Sequence, residues 1–400
     1  MNPPSGSEFC FLFALCPAFC LRDSFHPASC LLPPEFFLVH CTLERLTGAE
    51  PDDATFRHLD CGASLGVPSG ACLPLRGLER AKTHECNRLP LLQRLRDPQT
   101  EIPQLAKNQK AIREIDEAIA HIPTKHEIYL GDARQLSNLE EGCVHLVLTS
   151  PPYWTPKEYR ASQGQLGHVS NYDEFMTELD KVWTHCFRAL VPGGRLICVV
   201  GDVCLSRRKN GGRHTVVPLH ASIQERCRKI GFDNLAPIIW HKISNAVHEV
   251  ENGSSFLGKP YEPNAVIKND IEFILMQRKP GGYRTPDVAT RTLSMISAEN
   301  HKKWFQQIWT GVTGASTKEH PAPYPLELAQ RLIRMFSFVG DRVLDPFLGT
   351  GTTSVAAAKT GRNSIGLEID PHYHSIAERR LRAESTLFST TTLSVGAAHR

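Results

Sequence analysis

The 400-residue sequence has no run of about 18 consecutive apolar residues, so it offers no segment able to cross a bilayer as a helix. Its longest apolar candidate, Phe9 to Leu21, is interrupted by Pro17 and has no basic flank before it, which does not read as a secretory leader. Both absences lead to the expectation of a cytoplasmic protein without membrane contact. Paired cysteines are missing as well. Of the 13 Cys, eight lie between Cys10 and Cys86, yet none forms a Cys-x-x-Cys pair, and the spacings match no zinc template. No metal site is expected. A strong overall charge is lacking too, since the net charge is +3. Its distribution is uneven: residues 155–310 carry 21 Lys and Arg against 15 Asp and Glu, a balance of +6, which leaves −3 for the remainder. A basic middle suits a phosphate-bearing partner, and a solvated surface gives the same excess.

With 41% hydrophobic and 22% charged residues, the chain has the composition of a soluble globular protein. Residues 1–100 mix Pro, Cys, Phe and Leu without helical or strand periodicity and are expected to form a poorly structured extension. From Gln104, the spacing of Leu105, Ile112, Ile115, Ile119 and Ile122 predicts a helix up to Pro123. A strand at Glu127 to Leu130 runs into Gly131-Asp132, and the apolar run Val144 to Leu148 predicts a buried strand that stops at Ser150-Pro151. The pattern continues with a helix over 171–190, a strand over 196–200, a helix over 217–230, strands near 236–240 and 271–277, and a helix over 326–338. Residues 283–320 read as irregular around Trp304 and Trp309, and the Ser/Thr-rich stretch 385–400 as a disordered tail.

The whole pattern is organised around Asp345-Pro346-Phe347-Leu348-Gly349-Thr350-Gly351-Thr352-Thr353, which follows the apolar Val343-Leu344 and precedes a small-residue helix pattern. A strand ending in a glycine turn that opens a helix is where an open α/β sheet binds nucleotide-like ligands. A dinucleotide fingerprint requires a third glycine at position 354, where Ser354 stands. That weighs against a nicotinamide dehydrogenase, which would also leave Ser150-Pro151-Pro152-Tyr153-Trp154 without a role.

Together, the Ser150–Trp154 stretch, the Asp345–Thr353 stretch, Glu368 and the segment His320 to Pro325 resemble the amino-group DNA methyltransferases that use S-adenosylmethionine (AdoMet), over about residues 104–384. The catalytic stretch precedes the cofactor stretch, the permuted order of that family's beta group. The resemblance implies a Rossmann-like α/β fold, a mostly parallel sheet with helices on both faces. Within a methyltransferase domain over 101–384, it implies a catalytic part at about 124–204, target-recognition segments within 205–310 and a cofactor part at about 318–384.

It also implies roles for the residues. Ser150 Oγ and the Pro151 carbonyl would accept hydrogen bonds from an exocyclic amine, Pro152 would stiffen the turn, Tyr153 would offer a stacking face to a flipped base, and Trp154 would wall the pocket. AdoMet would lie against Asp345, Pro346, Phe347, Gly349, Thr350, Gly351 and Thr352. Glu368, 17 residues past Gly351, would accept from the ribose hydroxyls, Asp132 would stand near the adenine, and His320 and Pro321 would close over the methionine end. A first-position Ser is usual in the family for N4 of cytosine, whereas Asp or Asn is usual for N6 of adenine, so N4-cytosine is expected and N6-adenine is the alternative. Methylation of cytosine C5 is excluded on separate grounds: it needs a thiolate presented in a Pro-Cys dipeptide, and none of the 28 Pro precedes a Cys. The partner implied is double-stranded DNA, with a restriction endonuclease as a separately acting companion. The basic loop with Arg207, Arg208, Lys209 and Arg213 is the candidate for phosphate contact. A DNA-binding protein without catalysis is the reading from another class, supported by the basic middle alone.

Overall fold

The computed structural model describes residues 82, 97–154, 160, 162, 164–242, 256–257, 262–264, 266–267, 269–316, 320, 322–387 and 391–397. Nearly all of the extension expected over residues 1–100 lies outside these. Its last positions open a helix, α1 (Pro98–Leu105), where the Asp97 carboxylate accepts the Gln99 N–H at 3.0 Å and Pro98 takes the first helical position. The chain then breaks and restarts at the Asn108 cap, giving α2 (Gln109–Ala120), with Ala111, Ile115, Ala118 and Ile119 buried on one stripe.

Strands β1 (Thr124–Leu130) and β2 (Val144–Thr149) follow, then α3 (Tyr172–Ala189), capped by Asn171, and β3 (Leu190–Val200). A small hairpin, β4 (Val203–Leu205) and β5 (Thr215–Val217), precedes α4 (Leu219–Ile230) and β6 (Asp233–His241). A second hairpin pairs β7 (Phe256–Leu257) with β8 (Val266–Ile267), and β9 (Ile271–Arg278) comes next. The stretch expected to be irregular instead holds α5 (Val288–Leu293), α6 (Ala298–Trp304) and β10 (Ile308–Trp309). Asp287 and Ser297 cap the two helices, which are too short to carry a readable periodicity. The last elements are α7 (Leu326–Phe336), β11 (Arg342–Asp345), α8 (Thr352–Lys359), β12 (Asn363–Glu368), α9 (Pro371–Leu387) and β13 (Thr391–Ala397).

Among the described residues, nine strands form one sheet in the order β10-β6-β9-β3-β2-β11-β12-β1-β13. Every pairing in it is parallel except those of β9, which runs against both β3 and β6. Along β3, Leu196, Cys198 and Val200 face a core shared with Phe175, Leu179 and Trp183 of α3, while Ile197 and Val199 face Leu328 and Leu332 of α7 and Ala356 of α8. Burial on both faces is why the strands read as continuous apolar runs. The disordered tail expected from residue 385 is not what forms: α9 extends to Leu387, and β13 pairs in register with all of β1. Thr391, Thr392, Leu393 and Val395 supply the β-branched and apolar character that an edge strand accepts, and composition alone had concealed it. Among the described residues no helix is long and apolar enough to cross a membrane.

The antiparallel strand is locked where Pro192-Gly193-Gly194 meets Gly281-Gly282. The Gly193 N–H donates to the Lys279 carbonyl at 3.0 Å, and the Lys279 N–H to the Gly194 carbonyl at 2.9 Å. Gly193 has φ +77° and would direct a Cβ into the Gly282 carbonyl. Gly193→Ala therefore combines backbone strain with a clash that neither strand can relieve, and it should destabilise the protein by about 1–3 kcal/mol. Urea denaturation measures this, and an unchanged midpoint would show that the crossing is not a packing constraint.

Candidate active site

From β2 the chain turns through α3 to β3 on one side, and from β11 it turns through α8 to β12 on the other. The neighbouring C-terminal ends of β2 and β11 therefore flank a crevice, the position at which open α/β sheets bind ligands. An open cleft lies there, about 590 Å³ when the solvent space at its mouth is included. Ser150, Pro151 and Pro152 form one wall, and Pro346, Phe347 and Gly349 another. Asp132, Glu368 and His320 also reach it. The two sequence stretches, far apart in the chain, thus share one pocket.

Asp345 lies behind this pocket and does not line it. It is 1% exposed, and its carboxylate accepts from Thr149 Oγ1 at 2.6 Å, from the Phe347 N–H at 3.1 Å and from the Tyr324 hydroxyl at 3.3 Å, as well as from Thr353 Oγ1. Burial pushes its pKa up and these donors pull it back. The carboxylate ties the ends of β2 and β11 to α8 and to the segment before α7.

The glycine turn has two different reasons for its glycines. Gly349 adopts φ +54° beneath the His320 ring, whose Nε2 would lie 3.3 Å from an added Cβ. The Gly349 N–H donates to Glu368 Oε2 at 2.7 Å. Gly351, at φ +84°, precedes α8 and packs on α9, where a Cβ would come within 3.0 Å of Ala377. Gly351, Thr350 and Thr352 therefore support the cavity from outside. Arg380 holds this support by donating to the Thr350 carbonyl at 2.6 Å and to Thr350 Oγ1 at 3.0 Å.

Glu368 accepts one backbone N–H on each oxygen, from Gly349 and from Asp370 at 2.9 Å. Burial still raises its pKa to about 7, against which those two bonds act. His320 is neutral, lowered to about 4 by burial. Its Nδ1 accepts the Ala322 N–H at 3.2 Å, which leaves the proton on Nε2, and its ring meets Tyr373 edge-on with centroids 4.7 Å apart. Pro321 lies outside the described residues.

Tyr153 departs from expectation. Its ring is 8% exposed and packs within the core, and its hydroxyl accepts the Gly201 N–H at 3.1 Å, so no open stacking face is available in this conformation. Trp154 packs edge-on against Tyr172 at 5.0 Å, one layer back from the cavity. Arg207, Arg208 and Arg213 are exposed at the tip of the β4–β5 hairpin, which leaves the sheet at the C-terminal end of β3. Asn210 closes this tip by donating to the Arg213 carbonyl at 3.2 Å and to Thr215 Oγ1 at 2.7 Å. Lys209 shares the 3₁₀ turn there. Sequence reasoning missed the residues that complete the cavity: Gly164, Gln165 and Leu166 above it, and Ile369 and Tyr373 after β12. Only Gly164-Gln165, in a stretch without periodicity, carried even a turn signal.

The sequence model of the DNA methylase family matches residues 144–379. The Type II methyltransferase M.MjaI of Methanocaldococcus jannaschii is 38% identical over 291 residues, 65% of this chain and 92% of that protein. M.MthZI of Methanothermobacter thermautotrophicus is 36% identical over 281 residues, 64% of this chain and 77% of that protein. A protein described as a putative DNA modification methylase from Thermus thermophilus, solved in complex with S-adenosyl-L-methionine, superposes with a TM-score of 0.57 at 50% identity, covering 69% of this chain and 99% of that one.

Because Asp345 joins the two halves of the pocket, its donors should matter for stability. Thr149→Val removes one donor from a buried carboxylate and should cost about 1–3 kcal/mol at neutral pH. A raised folded-state pKa favours the folded state at low pH and disfavours it as pH rises, so the deficit should shrink on acidification. Chemical denaturation at two pH values measures it, and a deficit that grows toward acid would refute the role.

Proposed function

This chain belongs to the N6/N4 DNA methylase family, and on that premise we propose that it transfers a methyl group from AdoMet to the exocyclic N4 amine of cytosine in double-stranded DNA. The observation carrying this reading is that Ser150, Pro151 and Pro152 line the same cavity as Gly349 and Glu368. An acceptor pair for an amine thus faces the cradle of a nucleoside-bearing donor.

The cavity residues fit AdoMet. Gly349 leaves the turn without a Cβ under His320, and Glu368 retains acceptor capacity after taking two N–H groups, because each carboxylate oxygen has two lone pairs. Bound there, AdoMet supplies an electrophilic methyl on a sulfonium. Glu368 would receive the ribose hydroxyls, Asp132 would stand at the adenine end, and His320 with Ala322 would cover the methionine end.

The amine of cytosine is a poor nucleophile because its lone pair is delocalised into the ring. Ser150 Oγ and the Pro151 carbonyl accept its two N–H bonds, localise that lone pair and aim it. The prolines at 151 and 152 have no N–H to compete for the acceptors and hold the turn stiff. Catalysis by this arrangement is orientation and electrostatics. The target amine is unreachable inside a duplex, so the base must leave the stack. Tyr153, fixed through Gly201, braces the acceptor side from behind. Arg207, Arg208 and Arg213 contact phosphates from the hairpin tip, with Lys209 in the same turn. The relatives' Type II names support a place in restriction–modification beside a separate endonuclease.

Nucleoside analysis of DNA treated with the protein and AdoMet should yield N4-methyl-2′-deoxycytidine; N6-methyl-2′-deoxyadenosine in its place would move the target to adenine, and no methylated base would favour a DNA-binding protein without catalysis. Ser150→Ala should lower kcat on the order of 10²-fold while AdoMet affinity stays near wild type. Loss of AdoMet binding in that variant would mean that Ser150 has been given the wrong role. Hydroxyl donors favour the carboxylate form of Glu368, so AdoMet affinity should weaken as pH falls through about 7. Glu368→Gln should flatten that dependence in calorimetric titrations; an inflection surviving the substitution would assign it to another group.

A further inference from the structure

Asp132, expected at the adenine end of the cofactor, is embedded in a charge cluster that its sequence context did not reveal. Arg134 Nε donates to both Asp132 oxygens at 3.0 and 2.9 Å, and its Nη2 to Asp132 Oδ2 at 2.6 Å. The same guanidinium donates through Nη1 to Glu178 Oε2 of α3 at 2.6 Å and through Nη2 to the Gly164 carbonyl at 3.1 Å. Asp132 also accepts the Arg134 N–H at 2.9 Å, so its carboxylate is fixed from two directions. The Arg134, Asp132 and Glu178 side chains are only 22%, 20% and 18% exposed, so these bonds are partly shielded from water. A planar fork with five donors on three nitrogens reaches three separate elements in fixed directions, whereas a lysine offers three donors from a single nitrogen.

Gly164 belongs to the part of the chain that roofs the cavity together with Gln165 and Leu166. It adopts φ +83°, and a Cβ there would lie 2.9 Å from Arg134 Nη2 and 3.1 Å from Ile369 Cδ1. Glycine lets the roof settle onto the guanidinium. On its other side the roof is fastened by Ser162, whose hydroxyl donates to Asp370 Oδ2 at 2.8 Å, two residues beyond Glu368.

We propose that Arg134 is a positioning residue for the cofactor, joining the Asp132 wall and the Gly164–Leu166 roof into one piece so that both meet the adenosine part of AdoMet in register. The inference rests on the cavity being the AdoMet site. Arg134 itself is absent from the cavity lining, which is why its action is indirect.

The test titrates full-length wild type, Arg134→Lys, Arg134→Ala, Gly164→Ala and the Arg134→Ala/Gly164→Ala double variant with AdoMet and, separately, with adenosine, which carries only the nucleoside end. Calorimetry gives affinity and thermal denaturation reports folding. Arg134→Lys keeps a charge beside Asp132 and should stay folded, yet bind AdoMet and adenosine about tenfold or more weakly and by similar factors, the scale of one lost charge-assisted hydrogen bond. In turnover the loss should fall on KM for AdoMet and spare KM for DNA. Gly164→Ala should cost less affinity in the Arg134→Ala background than alone, because its Cβ collides with that guanidinium. Wild-type affinity in a folded Arg134→Lys protein, a loss confined to AdoMet with adenosine binding intact, or strict additivity of the two substitutions would each overturn the proposal. Failure of the wild type itself to bind AdoMet would instead remove the functional reading beneath it.

Discussion

A single buried carboxylate sets the geometry of this protein. Asp345 accepts a hydrogen bond from Thr149, 196 residues earlier in the chain, and with Tyr324 and Thr353 it fixes where β2 stops, where β11 stops and where α8 begins. A carboxyl group so deep would be costly if it were unsatisfied, and four donors from three parts of the chain make it tolerable. The pocket results from that satisfaction. The proline turn after β2 and the glycine turn after β11 face each other because the same group anchors both.

Around this anchor the pocket divides into lining and support. Gly349, Glu368, His320 and the Ser150–Pro152 turn line the cavity, whereas Gly351, Thr350, Tyr153 and Arg380 hold the lining in place from one layer back. Supports of this kind give a site its precision, since a cradle made of backbone can be no more exact than the packing beneath it. Arg134 belongs with the supports.

The sheet and its motifs were legible in the sequence because buried parallel strands are written as unbroken apolar runs and their ends as Gly and Pro turns. Val144–Leu148 and Val343–Leu344 both read that way, and both strands lie at the centre of the sheet. The division of labour inside a motif was not legible. Asp345 and Gly351 carry the same letters whether they touch a ligand or a neighbouring helix, and only the burial of the former and the contact of the latter with Ala377 distinguish the two. Gly164–Leu166 was hidden for a different reason: its place over the cavity is set by long-range partners, Arg134 and Asp370, that leave no periodic trace. The edge strand β13 was hidden by composition, since a Thr-rich stretch reads as polar until a neighbouring strand is available to pair with it.

The order in which the sheet is threaded also bears on how the protein is made. β2 takes one neighbour, β3, from the next stretch of chain, but its other neighbour is β11, and β1 waits for β12 and β13. As the polypeptide leaves the ribosome, both early strands carry unpaired edges until the last quarter of the sequence has emerged. Pairings of such long separation close slowly. The middle of the sheet, where the pocket lies, is thus completed by its final strands, and a chain interrupted before β11 would present open edges instead of a partly built site.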